Sequence, residues 1–417
     1  MRLTLIAAGS RGDVQPYVAL GQGLQRAGHA VRFVTTQDFA PLAAAHGLDV
    51  HPVALSVEDA LGGRDTRAAI EGGSRLASGR RLLGLARRAA ELLVREAWEA
   101  ARGTDAVIAG FGGLLAGASV AERAGVPFVP AFNVPVTPTA TIPGALVPGL
   151  SVPPRALAHR VGHWVSWQAV WQMARLSGAA ARRDVLGLPP APRWGPRATP
   201  GVPLLYGISP AVLPRPADWG AHVQLTGFWF LDAPDDYAPP PALADFLARG
   251  PAPVYVGFGS MGSTDPAALL AVVLDAVARH GGRAVVHSGW AGLRAGALPP
   301  EVLVVDAVPH AWLFARVRAA VHHGGAGTAA AAFRAGLPSV VVPFHGDQPF
   351  WARLAHTLGV APAPIPRRRL TADRLARALD AVTADAAMRD RAAALGARVR
   401  REDGVAAAVA LIGGMRR

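Results

Sequence analysis

His322-His323-Gly324-Gly325-Ala326-Gly327-Thr328 is the stretch on which the reading of this chain turns. It follows an apolar run at 319–321 and opens a small-residue run at 329–335, so a strand is expected to end in glycines that feed a helix. At such a junction the first N–H groups of the helix have no intrahelical partner and sit at the positive end of the helix dipole. An anion is the natural occupant. No lysine follows the glycines, which separates the run from the nucleoside-triphosphate loop. Downstream come Gly336-Leu337-Pro338, an expected strand over 339–344, and then Gly346-Asp347-Gln348-Pro349-Phe350-Trp351. A phosphate groove followed by an Asp-Gln pair that can bind hydroxyls suits a nucleoside-diphosphate sugar.

Working outward, strands and helices alternate on both sides. In the second half the pattern predicts a strand over 254–257, a helix over 266–280 and a strand over 283–287. In the first half it predicts strands at 3–7, 30–35, 105–109 and 127–130, with helices at 14–27 and 114–124. This is the rhythm of open parallel sheets. The stretch 189–241 is rich in proline and interrupts it, which marks a domain boundary. The expected fold is α/β, two Rossmann-like domains facing each other across a cleft, divided as 1–216 and 217–394.

Composition bounds the rest. At 417 residues the chain can fill two cores of ordinary size. Cysteine is absent, which excludes disulfides and thiolate metal sites. All 42 basic residues are arginine, and the formal net charge is +13. That charge favours anionic partners such as nucleotides or membrane surfaces, and it equally fits a coding bias toward arginine. The apolar start at 1–8 is too short for a signal core. The uncharged stretch 128–154 carries Pro130, Pro135, Pro138, Pro143, Pro148 and Pro153, too many for a spanning helix. A cytoplasmic protein is expected, with peripheral contact at the inner face of a membrane left open and no nucleic-acid partner.

Several motifs carry alternatives. Gly257-Phe258-Gly259-Ser260-Met261-Gly262 matches a dinucleotide fingerprint, yet the next strand ends in His287-Ser288-Gly289-Trp290 with no carboxylate for a ribose. A phosphate contact from Ser260 survives; nicotinamide binding does not. Adjacent histidines on extended chain point to opposite sides. His322 and His323 are therefore read as one core residue and one phosphate donor, not as metal ligands. Asp13 is either a helix cap or a general base that takes a proton from an acceptor hydroxyl. Trp164, Trp167 and Trp171 share one helical face, as a core stripe or as an aromatic wall for an apolar acceptor. The arginine-rich helix around 75–102 is a solvated face or a lipid-docking one. No Asp-x-Asp motif occurs, so the usual metal clamp for a sugar diphosphate is missing, and the Glu91/Glu99 spacing is read as chance.

Gly9-Ser10-Arg11-Gly12-Asp13-Val14-Gln15-Pro16 and Gly28-His29-Ala30-Val31-Arg32 resemble the start of the sterol glucosyltransferases and the antibiotic-tailoring transferases. So do Pro203–Pro210, Thr226–Phe230, Ser288–Trp290, Val308–Phe314, the double-histidine run and Gly346–Trp351, so the likeness covers nearly the whole chain. The resemblance implies a GT-B fold in the UDP-glycosyltransferase superfamily and inverting, metal-independent transfer with no cofactor. It assigns Asp13 as base. Gly12, Ser260, His322 and the amides of Gly325, Ala326, Gly327 and Thr328 would hold the nucleotide sugar. Asp347 and Gln348 would bind sugar hydroxyls, while Trp290 and the Val308 backbone would flank the base. It also implies a C-terminal helix within 395–417 that packs back on the first domain. Plant-type relatives carry tryptophan where Ala307 stands, glutamate where Ala330 stands, and a histidine base, so nucleoside recognition must differ here.

The expected activity is hexosyl transfer, with glucose from UDP-glucose, onto a hydroxyl of an apolar acceptor such as a sterol-like lipid or a polyketide. Two alternatives stand beside it: deoxysugar transfer from a dTDP donor in antibiotic tailoring, and a non-catalytic nucleotide-sugar-binding activator.

Overall fold

The computed structural model describes residues 1–56, 75–146, 155–234, 236–259, 265–288, 298–306 and 308–415, the side chains of 75–83 excepted. The chain forms two compact units, Met1–Leu231 with Asp403–Arg417, and Asp232–Glu402.

In the first unit, the described strands are β1 (Arg2–Ala7), β2 (Ala30–Thr36), β3 (Asp49–Val53), β4 (Ala106–Ala109), β5 (Phe128–Phe132), β6 (Leu204–Tyr206) and β7 (Val223–Leu225). They pair in parallel in the order β3-β2-β1-β4-β5-β6-β7. Helices α1 (Arg11–Arg26), α2 (Ala40–Ala45), α3 (Arg75–Ala100), α4 (Leu114–Ala124), α5 (Arg155–Ser177) and α6 (Ala179–Asp184) accompany them. A parallel sheet covered on both faces needs unbroken apolar strands. Ala106-Val107-Ile108-Ala109 meets that need, buried at every position.

The second unit carries β8 (Val254–Gly257), β9 (Ala284–His287), β10 (Val302–Val305), β11 (Ala319–His322) and β12 (Ser339–Val341), in the parallel order β10-β9-β8-β11-β12. Its helices are α7 (Pro241–Ala248), α8 (Pro266–His280), α9 (His310–Leu313), α10 (Ala326–Ala335), α11 (Gln348–Thr357), α12 (Ala372–Ala384) and α13 (Ala386–Val399). Helix α8 shows why the sequence signals work. Asp265 accepts from the Ala268 amide at 2.8 Å, Pro266 opens the first turn, and Gly281 closes the helix at φ +69°. Its buried Leu269, Leu270, Val273 and Val277 join Leu375, Leu379 and Val382 of α12 in one cluster. Each such side chain contributes about 1.5–3 kcal/mol on burial.

Three expectations need correction. The first unit ends at Leu231 rather than at 216, because β7 lies beyond that proline-based boundary and pairs with β6. The return to the first unit begins at Asp403 rather than 395, since α13 packs on α10 and only α14 (Gly404–Gly413) packs on α1. A side chain at residue 404 would collide with the Gly227–Phe228 backbone, so glycine permits that close approach. Finally, α1 begins at Arg11, not at 14, which places Asp13 inside the helix.

Candidate functional site

In an open parallel sheet, ligands gather at the carboxyl edge where the strand order reverses. Each unit has one such point, between β1 and β4 in the first and between β8 and β11 in the second.

The chain leaving β1 passes through Gly9 and Ser10 into α1. Asp13 is the third residue of that helix and completes a capping box with Ser10. The Ser10 amide donates to Asp13 Oδ2 at 2.9 Å and the Ser10 hydroxyl to the same atom at 2.8 Å. Among the described residues, Oδ1 accepts no hydrogen bond. Gly9 stands at φ +133°, and a Cβ there would come within 2.7 Å of Asp13 Oδ2, so only glycine leaves the carboxylate its place. Desolvation raises the carboxyl pKa while the Ser10 bonds lower it, and the net direction is upward. The residue keeps solvent access, so its desolvation is partial. Below it, Tyr17 donates to the Ala131 carbonyl at 2.5 Å and meets Trp229 edge-on at 5.6 Å. Burial, with the nearby Asp13 charge second, pushes the Tyr17 hydroxyl well above its ordinary range. Tyr17 therefore stays a neutral donor.

In the second unit, His322 ends β11 opposite Gly257 of β8. It is 2% exposed, and burial, with His323 and His310 adding to it, drives its pKa down to about 3. A neutral ring has one N–H, and the hydrogen-bond network assigns it. The Gly324 amide donates to His322 Nδ1 at 3.0 Å, so the proton resides on Nε2. Gly324 makes that turn at φ +87°. His323 is buried as well, at a pKa of about 4, with Nδ1 unpaired and its ring against Gly259 and Gly325. Both histidines are thus buried, as a parallel sheet covered on both faces allows for neighbours on opposite sides of a strand. Gly325 caps α10 in extended conformation, and the amides of Ala326, Gly327 and Thr328 form its first turn.

After β12 the chain reaches Asp347 and Gln348 at the start of α11. The buried Trp351 donates its indole N–H to Asp347 Oδ2 at 2.9 Å, which fixes the carboxylate. Gln348 is 4% exposed, and its Oε1 accepts the Phe344 and His345 amides at 2.8 and 3.3 Å. That carboxamide oxygen shapes the loop. The Val308 side chain lies in the core beside Phe314. Nearby, Ser288 donates to Asp306 at 2.7 Å and Tyr255 pairs with His310 at 3.0 Å. Ser260 and Trp290 lie outside the described residues. Gly12 is exposed in the first turn of α1.

Residues 3–143 match the glycosyltransferase family 28 N-terminal domain, and residues 271–406 match the erythromycin biosynthesis protein CIII-like C-terminal domain. The two parallel-sheet α/β units have the fold of the GT-B glycosyltransferases. Over 432 residues it is 35% identical to the sterol 3-beta-glucosyltransferase of Neosartorya fischeri, covering 99% of this chain and 29% of that protein. It spans about three-tenths of the length of the curated relatives it matches. Among solved structures, the glycosyltransferase SnogD from Streptomyces nogalater is similar at a TM-score of 0.70 and 21% identity, covering 100% of each chain. The glycosyltransferase SsfS6 from Streptomyces sp. SF2575, complexed with thymidine diphosphate, gives 0.63 at 20%, covering 99% of each.

The tryptophan stripe divides. Trp171 is 1% exposed, stacks on Trp167 at 6.3 Å and donates to the Pro192 carbonyl at 2.8 Å. Trp167 donates to the Trp194 carbonyl at 3.0 Å, while Trp164 is 49% exposed. Trp171 is a core residue and not part of an acceptor wall. It also lines a cavity of about 170 Å³ with Ser119, Glu122, Phe128 and Arg182. That cavity lies at the amino end of β5, away from the carboxyl edge that carries Asp13, so it is not the reaction site. Buried Arg182 braces it, donating to the Pro189 carbonyl, Ser119 and Glu122 at 2.6, 2.9 and 2.7 Å. Among the described residues no three His, Asp or Glu side chains converge as a metal site.

Sequence reasoning missed Tyr17 and Trp351, which position the two carboxylates. The Ser10-x-x-Asp13 spacing was a visible capping-box signal. Trp351 falls four residues after Asp347, the spacing at which helix neighbours meet.

Proposed function

We propose that the protein is an inverting, metal-independent hexosyltransferase that moves glucose from UDP-glucose to a hydroxyl of an apolar acceptor. The observation that carries this reading is the second-unit loop. A neutral His322 with its proton on Nε2 stands beside the first-turn amides of α10, a set of donors without a competing charge. Such a cradle can take the charge that develops on a departing diphosphate. Removing one preorganised donor of this kind costs about 3 kcal/mol of barrier.

In this scheme Asp13 Oδ1 takes the acceptor proton while Ser10 holds Oδ2. The freed oxygen attacks the anomeric carbon from the side opposite the diphosphate, which inverts the configuration. Asp347, held by Trp351, accepts hydroxyls of the transferred sugar. The sterol 3-beta-glucosyltransferase relatives support glucose and a sterol-like acceptor. An apolar acceptor of that kind partitions into lipid, so we place the protein at the inner face of a membrane as a peripheral visitor from the cytoplasm. No described helix is long and apolar enough to cross a membrane.

A second reading, deoxysugar transfer from a dTDP donor, is favoured by the thymidine diphosphate complex of the similar SsfS6. Calorimetric titration with UDP-glucose and dTDP-glucose, without metal and then with magnesium, separates the two. Metal-independent binding of UDP-glucose is expected. A preference for dTDP-glucose would favour the second reading, and binding of neither would remove the donor assignment. If Asp13→Asn left glucosyl transfer intact, a non-catalytic activator would replace both.

A further inference from the structure

We propose that the amino-terminal half of α5, together with Trp194, is a docking surface for an anionic lipid bilayer. Leu157, Val161 and Trp164 recur at i, i+4 and i+7, so they share one face of the helix. They are 60%, 43% and 49% exposed, and Trp194 beside them is 57% exposed. The Trp164 and Trp194 rings lie 6.1 Å apart. The loop bearing Trp194 is fastened from beneath, since Trp167 and Gln168 donate to the Trp194 carbonyl at 3.0 and 3.1 Å. The two indoles are therefore held outward instead of folding onto the core. Large apolar side chains scattered singly need no explanation, but four in one patch mark an interaction site.

The charged border identifies the occupant. Arg160 stands beside this face on α5, and exposed Arg193 and Arg197 come from the Trp194 loop. The Arg193 guanidinium sits 4.7 Å from the Trp194 ring centre. Arg160 pairs with Asp218 at 3.3 Å, but neither α5 nor the stretch 185–217 contains a single Asp or Glu. Indole rings flanked by arginine, with aliphatic side chains between them, suit the boundary between acyl chains and anionic headgroups. A nucleic acid would leave Leu157 and Val161 without a role, and an apolar protein groove would leave the arginines without one. Delivery of the acceptor-binding unit to dissolved acceptor rests on the acceptor class proposed above; the docking surface itself does not.

Co-sedimentation with phosphatidylcholine vesicles, with and without phosphatidylglycerol, tests this. The wild-type chain should pellet with the phosphatidylglycerol vesicles alone. Arg193→Gln with Arg197→Gln should weaken partitioning by about fivefold per charge removed. Leu157→Ser, Val161→Ser and Trp194→Ser combined should weaken it by about tenfold or more. A control that removes Arg367, Arg368 and Arg369, all as Arg→Gln in the second unit, should leave it unchanged. The proposal falls if the wild-type chain does not pellet, if the control loses as much as the patch variants, or if the apolar variant pellets normally. It also falls if sedimentation velocity shows that the patch variants dissociate a dimer, because the occupant would then be a second copy. UDP-glucose titration of each variant, expected to match the wild type, reports folding and tests the donor reading separately.

Discussion

The turn after β1 and the turn after β11 occupy equivalent places in two parallel sheets and are built to opposite electrostatic ends. After β1, a carboxylate is planted in the first turn of a helix, fixed through one oxygen by Ser10, and left in contact with water. After β11, two imidazoles are buried until they are neutral, and the positive end of the next helix is presented as bare amides. In the proposed scheme the first turn receives a proton and the second receives negative charge. The fold supplies both positions; the choice of side chain decides which chemistry each can do.

Asp13→Asn should break the comparison most severely. Asparagine keeps an oxygen that can accept from Ser10, so α1 still starts correctly. Loss of a general base lowers kcat by about 10²–10⁴-fold, with UDP-glucose affinity unchanged by calorimetry. In the wild type, kcat/KM should fall on the acid side with a midpoint above the ordinary carboxylate range, because the Asp13 pKa is raised. The sign for stability runs the other way. A carboxyl with a raised folded pKa contributes stability that is lost as pH rises through that pKa. The asparagine variant should therefore melt no lower than the wild type at neutral pH. A variant with full kcat, or one that melts much earlier, would show that Asp13 is a cap and nothing more.

At the other turn the informative step is a pair of variants. His322→Asn can mimic Nδ1 and still accept the Gly324 amide, but it lacks the Nε2 donor. His322→Gln can mimic the Nε2 donor and leaves Gly324 without its acceptor. If the donor matters, the asparagine variant loses about 10²–10³-fold in kcat while the glutamine variant retains more activity and melts lower. The reverse order of activities would make His322 a structural residue. The buried histidines also set acid stability. With folded pKa values of about 3 and 4 against an ordinary 6.5, their contribution is present above 6.5 and is lost as pH falls toward those values.

Much of this contrast was legible in the residues. The strand before the glycine run stands where the periodicity placed it, the helix after it opens three residues early at Ala326, and Leu114–Ala124 and Pro266–His280 match to the residue. What local pattern could not reveal was long-range pairing. β7 joins the first sheet only because it finds β6, and no composition shift near residue 216 records that partner. Tyr17 reaches Ala131 across 114 positions of chain, a contact invisible to any window. The tryptophan stripe failed for a related reason. Helical spacing assigns Trp164, Trp167 and Trp171 to one face, but the covering segment 192–194 buries only its carboxyl-terminal end.

Gly324→Ala asks how far the second turn depends on its backbone. At φ +87° an L side chain costs about 1–2 kcal/mol, and the new Cβ would stand 2.8 Å from Val341 Cγ1 and 3.1 Å from the Gln348 carbonyl. Both neighbours belong to the strand and helix that flank the Asp347 loop. Thermal melts should show the second unit destabilised by about that amount, and donor affinity should fall with it. Unchanged melting would mean that the turn can relax without disturbing β12.

The narrowest effect comes from Trp351→Phe, which removes one hydrogen bond and trims the buried indole to a phenyl ring. The bond to Asp347 Oδ2 is charge-assisted and partly buried, and its loss should cost about 1.5–3 kcal/mol at most. The indole acts on Asp347 and not on the diphosphate. The loss should therefore appear as a raised KM for UDP-glucose with affinity for UDP itself unchanged, since UDP has no sugar hydroxyls to present. Equal weakening of both ligands would place Asp347 with the anion cradle instead of the sugar, and the division of labour along the carboxyl edge would have to be redrawn.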